Sequence, residues 1–142
     1  MKIIEPSFSS IGTDIFENLD VDNNIEIYAN EIVQVFLNIL KNSHDNFVEK
    51  NISDSKIYIK SKNISSGVVV EISDNGGGIE HNIIDKIFDT YFSTKKGKNG
   101  TGLGLYMSKM IIEEHHYGRL YVENKDDGVC FSIELNKSLN KD

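Results

Sequence analysis

The chain has 142 residues, a length that fits one domain over 1–142, and chains of about this size bury roughly two-thirds of their extended surface, enough for a hydrophobic core. A formal net charge of −7 argues against a non-specific nucleic-acid binder. A single cysteine, Cys130, excludes an internal disulfide framework, and no apolar run approaches the roughly 20 residues of a membrane span. No signal-peptide pattern is present. The expectation is a soluble, cytoplasmic piece, compatible with a membrane-anchored parent.

In chain order, the first 24 residues lack a clear period. Ile11, Ile15, Phe16 and Leu19 fit either a short helix or an edge strand, and Ile25-Glu26-Ile27 reads as a short strand. Residues 30–49 carry the first strong signal, with Ile32, Val33, Phe36, Leu37, Leu40, Phe47 and Val48 recurring at helical spacing. Residues 56–60 alternate, residues 67–72 form a β-branched run, and the turn-like stretch between them makes the pair a hairpin. Glycines at 76, 77 and 78 end that strand. Ile83, Ile84, Ile87, Phe88 and Tyr91 then predict a second helix. Residues 93–104 hold four glycines and three lysines and read as a mobile loop. Leu103, Tyr106, Met107, Met110 and Ile111 predict a third helix, with Gly118 as its stop. Strands over 119–123 and 129–135 close the chain across Asp126-Asp127-Gly128, and the tail from Asn136 is polar. This order predicts an α+β fold, with helices on one face of a mixed sheet.

Three segments carry chemistry. Gln34, Asn38, Asn42, Asp45 and Glu49 share a second face of the first helix. Carboxamides are mediocre helix formers. Spacing alone favours a solvated face here, although an amide oxygen is also a reasonable ligand for a hard cation such as Mg²⁺. The segment Ser73-Asp74-Asn75-Gly76-Gly77-Gly78-Ile79 places a carboxylate at a strand end and glycines where backbone can approach a ligand; an ordinary tight turn is the alternative. Gly100-Thr101-Gly102-Leu103-Gly104-Leu105 opens a helix, where backbone N–H groups favour anions. It follows neither the P-loop nor the dinucleotide-binding spacing. Residues 90–112 contain four lysines, Lys95, Lys96, Lys98 and Lys109, and no carboxylate, a local reversal of sign that suits a polyphosphate.

The order and spacing of these segments resemble the ATP-binding catalytic domain of sensor histidine kinases, within the gyrase, Hsp90, histidine kinase and MutL superfamily. Asn38-Ile39-Leu40-Lys41-Asn42 looks like the N box, and Asp74-Asn75-Gly76-Gly77-Gly78-Ile79 like the G1 box. Residues 87–95 look like the F box and residues 100–105 like the G2 box. The resemblance covers residues 25–135, the expected ordered core. It implies a two-layer α/β sandwich of the Bergerat type, with about five strands, about three helices on one face and an ATP lid.

The resemblance also implies roles. Asp74 would accept a hydrogen bond from the adenine amino group, Gly76 and Gly78 would shape the adenine pocket, and Ile79 would lie near the base. Asn42 would hold Mg²⁺ against the phosphates, with Asn38 beside it as a second catalytic position. Gly102 and Gly104, flanked by Gly100, Thr101, Leu103 and Leu105, would offer amides to phosphate. Lys95 would reach phosphate from the lid, and Phe88 and Phe92 would anchor the lid to the core. Two departures stand out: Asp45 replaces a basic residue common three positions after the second N-box Asn, and Gly128-Val129 replaces a common Gly-Thr pair.

Position 38 discriminates among branches. Superfamily members that hydrolyse ATP, and small anti-sigma serine kinases, resemble one another in carrying Glu there, a residue able to act as a general base. Asn38 cannot take a proton, and a neutral histidine imidazole does not need that base. The reading is therefore phosphoryl transfer from ATP, with Mg²⁺, to a histidine. A stand-alone anti-sigma-type serine kinase and a degenerate nucleotide-binding signalling module are the alternatives. The acceptor would sit on a dimerisation hairpin of the same protein that this chain lacks. A response regulator is the expected partner, nucleic acid is not, and the isolated domain is expected to be monomeric. None of His44, His81, His115 and His116 is read as the acceptor, and His115 and His116 are expected to finish the third helix, where partial positive charge suits the dipole.

Overall fold

The structure, a computed structural model, describes residues 12–20, 24–90 and 103–139. Strand β1 (Asp14–Asp20) lies at one edge of a five-stranded sheet and pairs in parallel with β2 (Lys56–Ile64). β2 forms a hairpin with β3 (Gly67–Asp74), with Ile64 opposite Gly67. β3 then pairs antiparallel with β5 (Gly128–Asn136), and β4 (Arg119–Lys125) closes the other edge, giving the order β1-β2-β3-β5-β4. This is the expected mixed sheet.

β2 alternates cleanly, with Ile57, Ile59 and Ser61 buried between exposed Tyr58, Lys60 and Lys62, the pattern of a strand with one covered face. The cover is α1 (Ala29–Lys50), whose Ile32, Val35, Ile39, Leu40 and Phe47 join Ile57, Ile72, Phe131 and Ile133 in one core. α1 stops at Asn51, which takes a left-handed conformation (φ 53°) and donates its N–H to the carbonyls of Phe47 and Val48, an Asn-tolerated C-terminal cap. α2 (His81–Ile84) is a single turn. α3 (Gly104–Met110) runs into a π-helical turn (Ile111–His115) whose Ile111 and Ile112 are buried.

Four expectations are corrected. The core-facing stripe of α1 contains Val35 and Ile39, while Val33 and Val48 are exposed. The segment from Ile32 to Leu40 is apolar on most sides, so the sheet rather than the periodicity chooses the buried face. Ile25-Glu26-Ile27 forms no strand; Glu26 instead donates its N–H to the Lys137 carbonyl at 3.1 Å. The sheet begins at Asp14, ahead of the expected core boundary at Ile25, because β1 pairs along its whole length with β2. The second helix is reduced to α2 and turns through Phe88.

His115 and His116 finish the helical segment as expected, and His116 is buried there. It is 1% exposed, its Nδ1 donates to the Ile111 carbonyl (2.8 Å) and its Nε2 accepts from the Tyr28 N–H (3.0 Å). The ring ties the end of the π turn to the residue preceding α1. His115 remains outside and pairs with Glu31 at 3.1 Å.

β3 and β5 meet most tightly at Gly128. A Cβ there would collide with the backbone oxygen of Asp74 and approach its Oδ1 to 3.0 Å. Backbone at that spacing cannot yield as a side-chain tip can. Gly128→Ala is therefore expected to destabilise the fold by about 1–3 kcal/mol, the usual cost of overpacking, read as a lowered midpoint in chemical denaturation.

Candidate functional site

The strand alternation that turns Val68 and Ile72 toward the helices turns Asp74, the last residue of β3, the same way. A carboxylate thus occupies a core-facing position and is only 7% exposed. Such burial demands partners. Ser43, itself 1% exposed and on the apolar stripe of α1, donates its hydroxyl to Asp74 Oδ2 at 2.7 Å. The Gly76 N–H donates to Oδ1 at 3.0 Å. Burial pushes the Asp74 carboxyl above its ordinary range, and the N–H of Gly76, the Ser43 hydroxyl, the N–H of Val129 and the charge of Lys50 oppose that shift.

The loop after Asp74 is gripped from both sides. Asn75 extends the β2 pairing: its N–H donates to the Lys56 carbonyl (3.3 Å), its Oδ1 accepts from the Lys56 N–H (2.7 Å) and its Nδ2 donates to the Asp54 carbonyl (2.8 Å). The Gly76 carbonyl accepts from Asn46 Nδ2 (2.8 Å) and Lys50 Nζ (3.1 Å), both from the last turns of α1. A side chain at Gly76 would strike Asn46 Nδ2 and crowd the Phe47 ring at 3.1 Å. Gly77 has φ +84° and donates its N–H to the Asp127 carbonyl at 2.7 Å.

Further along α1, half-buried Asn38 donates through Nδ2 to the Gly104 carbonyl (3.1 Å) and to Ser108 Oγ (3.0 Å), and its Oδ1 accepts from Gln34 Nε2 (2.8 Å). Ser108, fully buried, also donates to the Gly104 carbonyl at 2.9 Å. The crossing of α1 and α3 is therefore polar, and Asn38 joins the N-box segment to the start of the G2 helix. Asn42, one turn on, is half-buried. Asp45 lies 3.5 Å from both Lys41 Nζ and His44 Nδ1.

The structure thus places Asn38, Asn42, Asp74, Gly76, Gly78, Ile79, Gly104 and Leu105 on α1, the end of β3, the loop after it and the start of α3. Ile79 and Leu105 pack against the core, and Leu103 immediately precedes α3. Phe88, expected to anchor the near end of the lid, packs edge-on against Phe131 with ring centroids 6.3 Å apart. Lys95, Phe92, Gly100, Thr101 and Gly102 lie outside the described residues, as does most of the expected lid. Of the four lysines in the basic stretch, Lys109 is engaged elsewhere, 4.8 Å from the Phe88 ring centroid and 3.8 Å from Glu113.

Sequence reasoning missed Ser43, Asn46, Lys50 and Asn124. A serine on an otherwise apolar stripe was a usable sign for Ser43, since a buried hydroxyl at a core position calls for a polar group opposite. Asn46 and Lys50 follow Ser43 at helical steps, and Asn124 offered no sign at all.

The profile of the family described as histidine kinase-, DNA gyrase B-, and HSP90-like ATPase matches residues 28–139. The sensor protein CitS of Halalkalibacterium halodurans is 31% identical over 106 residues, covering 75% of this chain and 20% of that protein. The sensor protein kinase WalK of Staphylococcus haemolyticus is 34% identical over 123 residues, covering 84% of this chain and 18% of WalK. The chain therefore spans about a fifth of the length of the curated relatives it matches. Among solved structures, the catalytic domain of the histidine kinase ThkA superposes with a TM-score of 0.85 at 30% identity, covering 99% of this chain and 90% of that one. The same kinase in complex with the response regulator protein TrrA gives a TM-score of 0.77 at 26% identity, covering 99% of this chain and 39% of that one.

The state of Asp74 has a measurable signature. Its carboxyl holds a proton more tightly in the folded protein than at its ordinary value of 3.8. The folded state therefore binds more protons than the unfolded state across that window, and stability falls as pH rises from the ordinary value through the raised one. Asp74→Asn removes this contribution. Denaturation of both proteins from pH 3 to 8 is expected to show the variant gaining on the wild type as pH rises through the window, then holding a constant difference.

Proposed function

This chain belongs to the histidine kinase-, DNA gyrase B-, and HSP90-like ATPase family, and we propose that it transfers the γ-phosphoryl group of ATP to a histidine on a separate dimerisation domain of its parent. Its fold and relatives are those of the catalytic ATP-binding domain of two-component sensor histidine kinases. The observation that carries the proposal is the buried Asp74 carboxylate at a strand end, beside a glycine loop fixed by Asn46, Lys50 and Asp127.

In this reading Asp74 accepts a hydrogen bond from the 6-amino group of adenine. Guanine offers a carbonyl at that place, which would face the carboxylate acceptor to acceptor. Gly76 and Gly78 shape the adenine pocket by letting the loop close on Asn46, Phe47 and Asn124, and Ile79 supplies an apolar contact beside the base. Gly102 and Gly104 present backbone N–H groups to phosphate, with Thr101 and Lys95 beside them.

The chemistry of Asn42 fits Mg²⁺. Among the described residues there is no cluster of His, Cys, Asp or Glu that could hold a metal, whereas a single amide oxygen suits a hard cation that keeps water and phosphate ligands. When bound, Mg²⁺ neutralises phosphate charge. Asn38, already bonded to Gly104 and Ser108, holds the two helices in register and takes no proton. The acceptor imidazole attacks with its own lone pair: the N–P bond forms as the bond from the γ-phosphorus to ADP breaks. Such transfer depends on in-line positioning, so it awaits the acceptor domain. That domain, a response regulator as a second partner, and a cytoplasmic location completed by a parent sensor protein belong to the same proposal. Among the described residues no helix is long and apolar enough to cross a membrane.

Labelled ATP incubated with this chain alone is expected to leave no label on protein. Adding an acceptor hairpin should yield label on its histidine, labile in acid and stable in alkali. Asp74→Asn should weaken ATP binding by about ten- to a hundred-fold, since a charge-assisted hydrogen bond contributes roughly 1.5–3 kcal/mol. Asn42→Ala should abolish the Mg²⁺-dependent part of the affinity while the thermal midpoint stays near that of wild type. Label on this chain alone, or on a partner's serine, would contradict the assignment.

A further inference from the structure

The loop that carries Gly78 and Ile79 has one partner that the nucleotide reading does not use. Asn124, exposed near the end of β4, accepts from the Ile79 N–H through Oδ1 (2.7 Å) and donates through Nδ2 to the Ile79 carbonyl (2.8 Å). A side-chain carboxamide here does what a neighbouring strand would do, occupying both backbone groups of one residue at once. Its two ends, one acceptor and one donor, make this possible. Aspartate offers only acceptors. A Cβ at Gly78 would stand 2.8 Å from Asn124 Oδ1, so the glycine leaves room for the carboxamide to reach across.

We propose that Asn124 is a positioning residue for the nucleotide base, acting through Ile79. The proposal rests on the adenine-binding reading above. The near end of the loop is secured independently: Gly76 by Asn46 and Lys50, Asn75 by Lys56 and Asp54, and Gly77 by Asp127. At Ile79 both the N–H and the carbonyl bond to Asn124. The site is exposed, so water can replace the carboxamide and neither Ile79 group is stranded when it is removed. What is lost is the fixed height of Ile79 relative to Asp74, the two side chains that would contact the base. Asn124 touches no reacting atom; its influence falls on the base and not on the phosphates.

That distinction supplies the test. The full 142-residue chain and its Asn124→Ala and Asn124→Asp variants are titrated with ATP and with ADP, each with Mg²⁺, by calorimetry. Amide exchange at Ile79 is followed by NMR without nucleotide. Asn124→Ala is expected to weaken ATP and ADP by the same factor, about five- to tenfold, to speed exchange at Ile79, and to leave the thermal midpoint within a few degrees of wild type. Asn124→Asp, which keeps the acceptor for the Ile79 N–H and sets an acceptor against its carbonyl, should weaken both nucleotides as well and slow the Ile79 exchange relative to Asn124→Ala. Wild-type affinity for both nucleotides in a folded Asn124→Ala protein overturns the proposal, as does a loss confined to ATP. If Asn124→Ala does not fold, the aspartate variant decides on the same criteria. A wild-type chain that binds neither nucleotide overturns the adenine reading itself and the proposal with it.

Discussion

The arrangement depends on keeping a carboxylate inside a hydrophobic core. Asp74 occupies the next inward position after Val68 and Ile72, where a valine would extend the core at no electrostatic cost. The protein instead surrounds it with the Ser43 hydroxyl, the N–H groups of Gly76 and Val129, and the charge of Lys50 at longer range. Those donors offset burial only in part, since the carboxyl remains harder to ionise than in water. In the proposed reading such a group is kept for the adenine amino group it binds. The same environment that destabilises the charge strengthens any donor placed against it.

Around that carboxylate the backbone is overdetermined. α1 holds the Gly76 carbonyl, β2 holds Asn75, and the β4–β5 hairpin holds Gly77 and Ile79. Gly128 lets β5 press against the Asp74 backbone, and Gly76 lets the loop lie against Phe47. A loop tied at Asn75, Gly76, Gly77 and Ile79 is preorganised, so a ligand entering it need not supply the ordering free energy that a free loop would demand. The link between Asn38 and Gly104 extends this order to the start of α3. It ties the N-box helix to the first residue of the G2 helix.

The four motifs were legible because each is contiguous and its chemistry is local: glycines where backbone turns, an aspartate at a strand end, amides on one helix face. The hairpins were legible for the same reason, since alternation and a short turn suffice. Other features depended on distant chain. β1 packs only Ile15 against the core, with Phe16 and Leu19 exposed, and it becomes a strand by pairing with β2, some 40 residues later in the sequence. Val35 and Ile39 were missed because the segment around them is apolar on nearly every side. Asn124 meets Ile79 across 45 residues, a contact that exists only once the β4–β5 hairpin has folded. His116 finishes the helical segment as its position suggests, but its buried tie between the Ile111 carbonyl and the Tyr28 N–H spans 88 residues and exists only in the fold.

The central claim is that the Asp74 carboxylate reads the amino group of adenine. Calorimetric titration with ATP and with purine riboside triphosphate, which differs only in lacking the 6-amino group, isolates that contact. The account predicts that loss of the amino group weakens binding to the wild type by about ten- to a hundred-fold, in line with a charge-assisted hydrogen bond, and weakens binding to Asp74→Asn far less. Equal affinity of the wild type for the two nucleotides would contradict it.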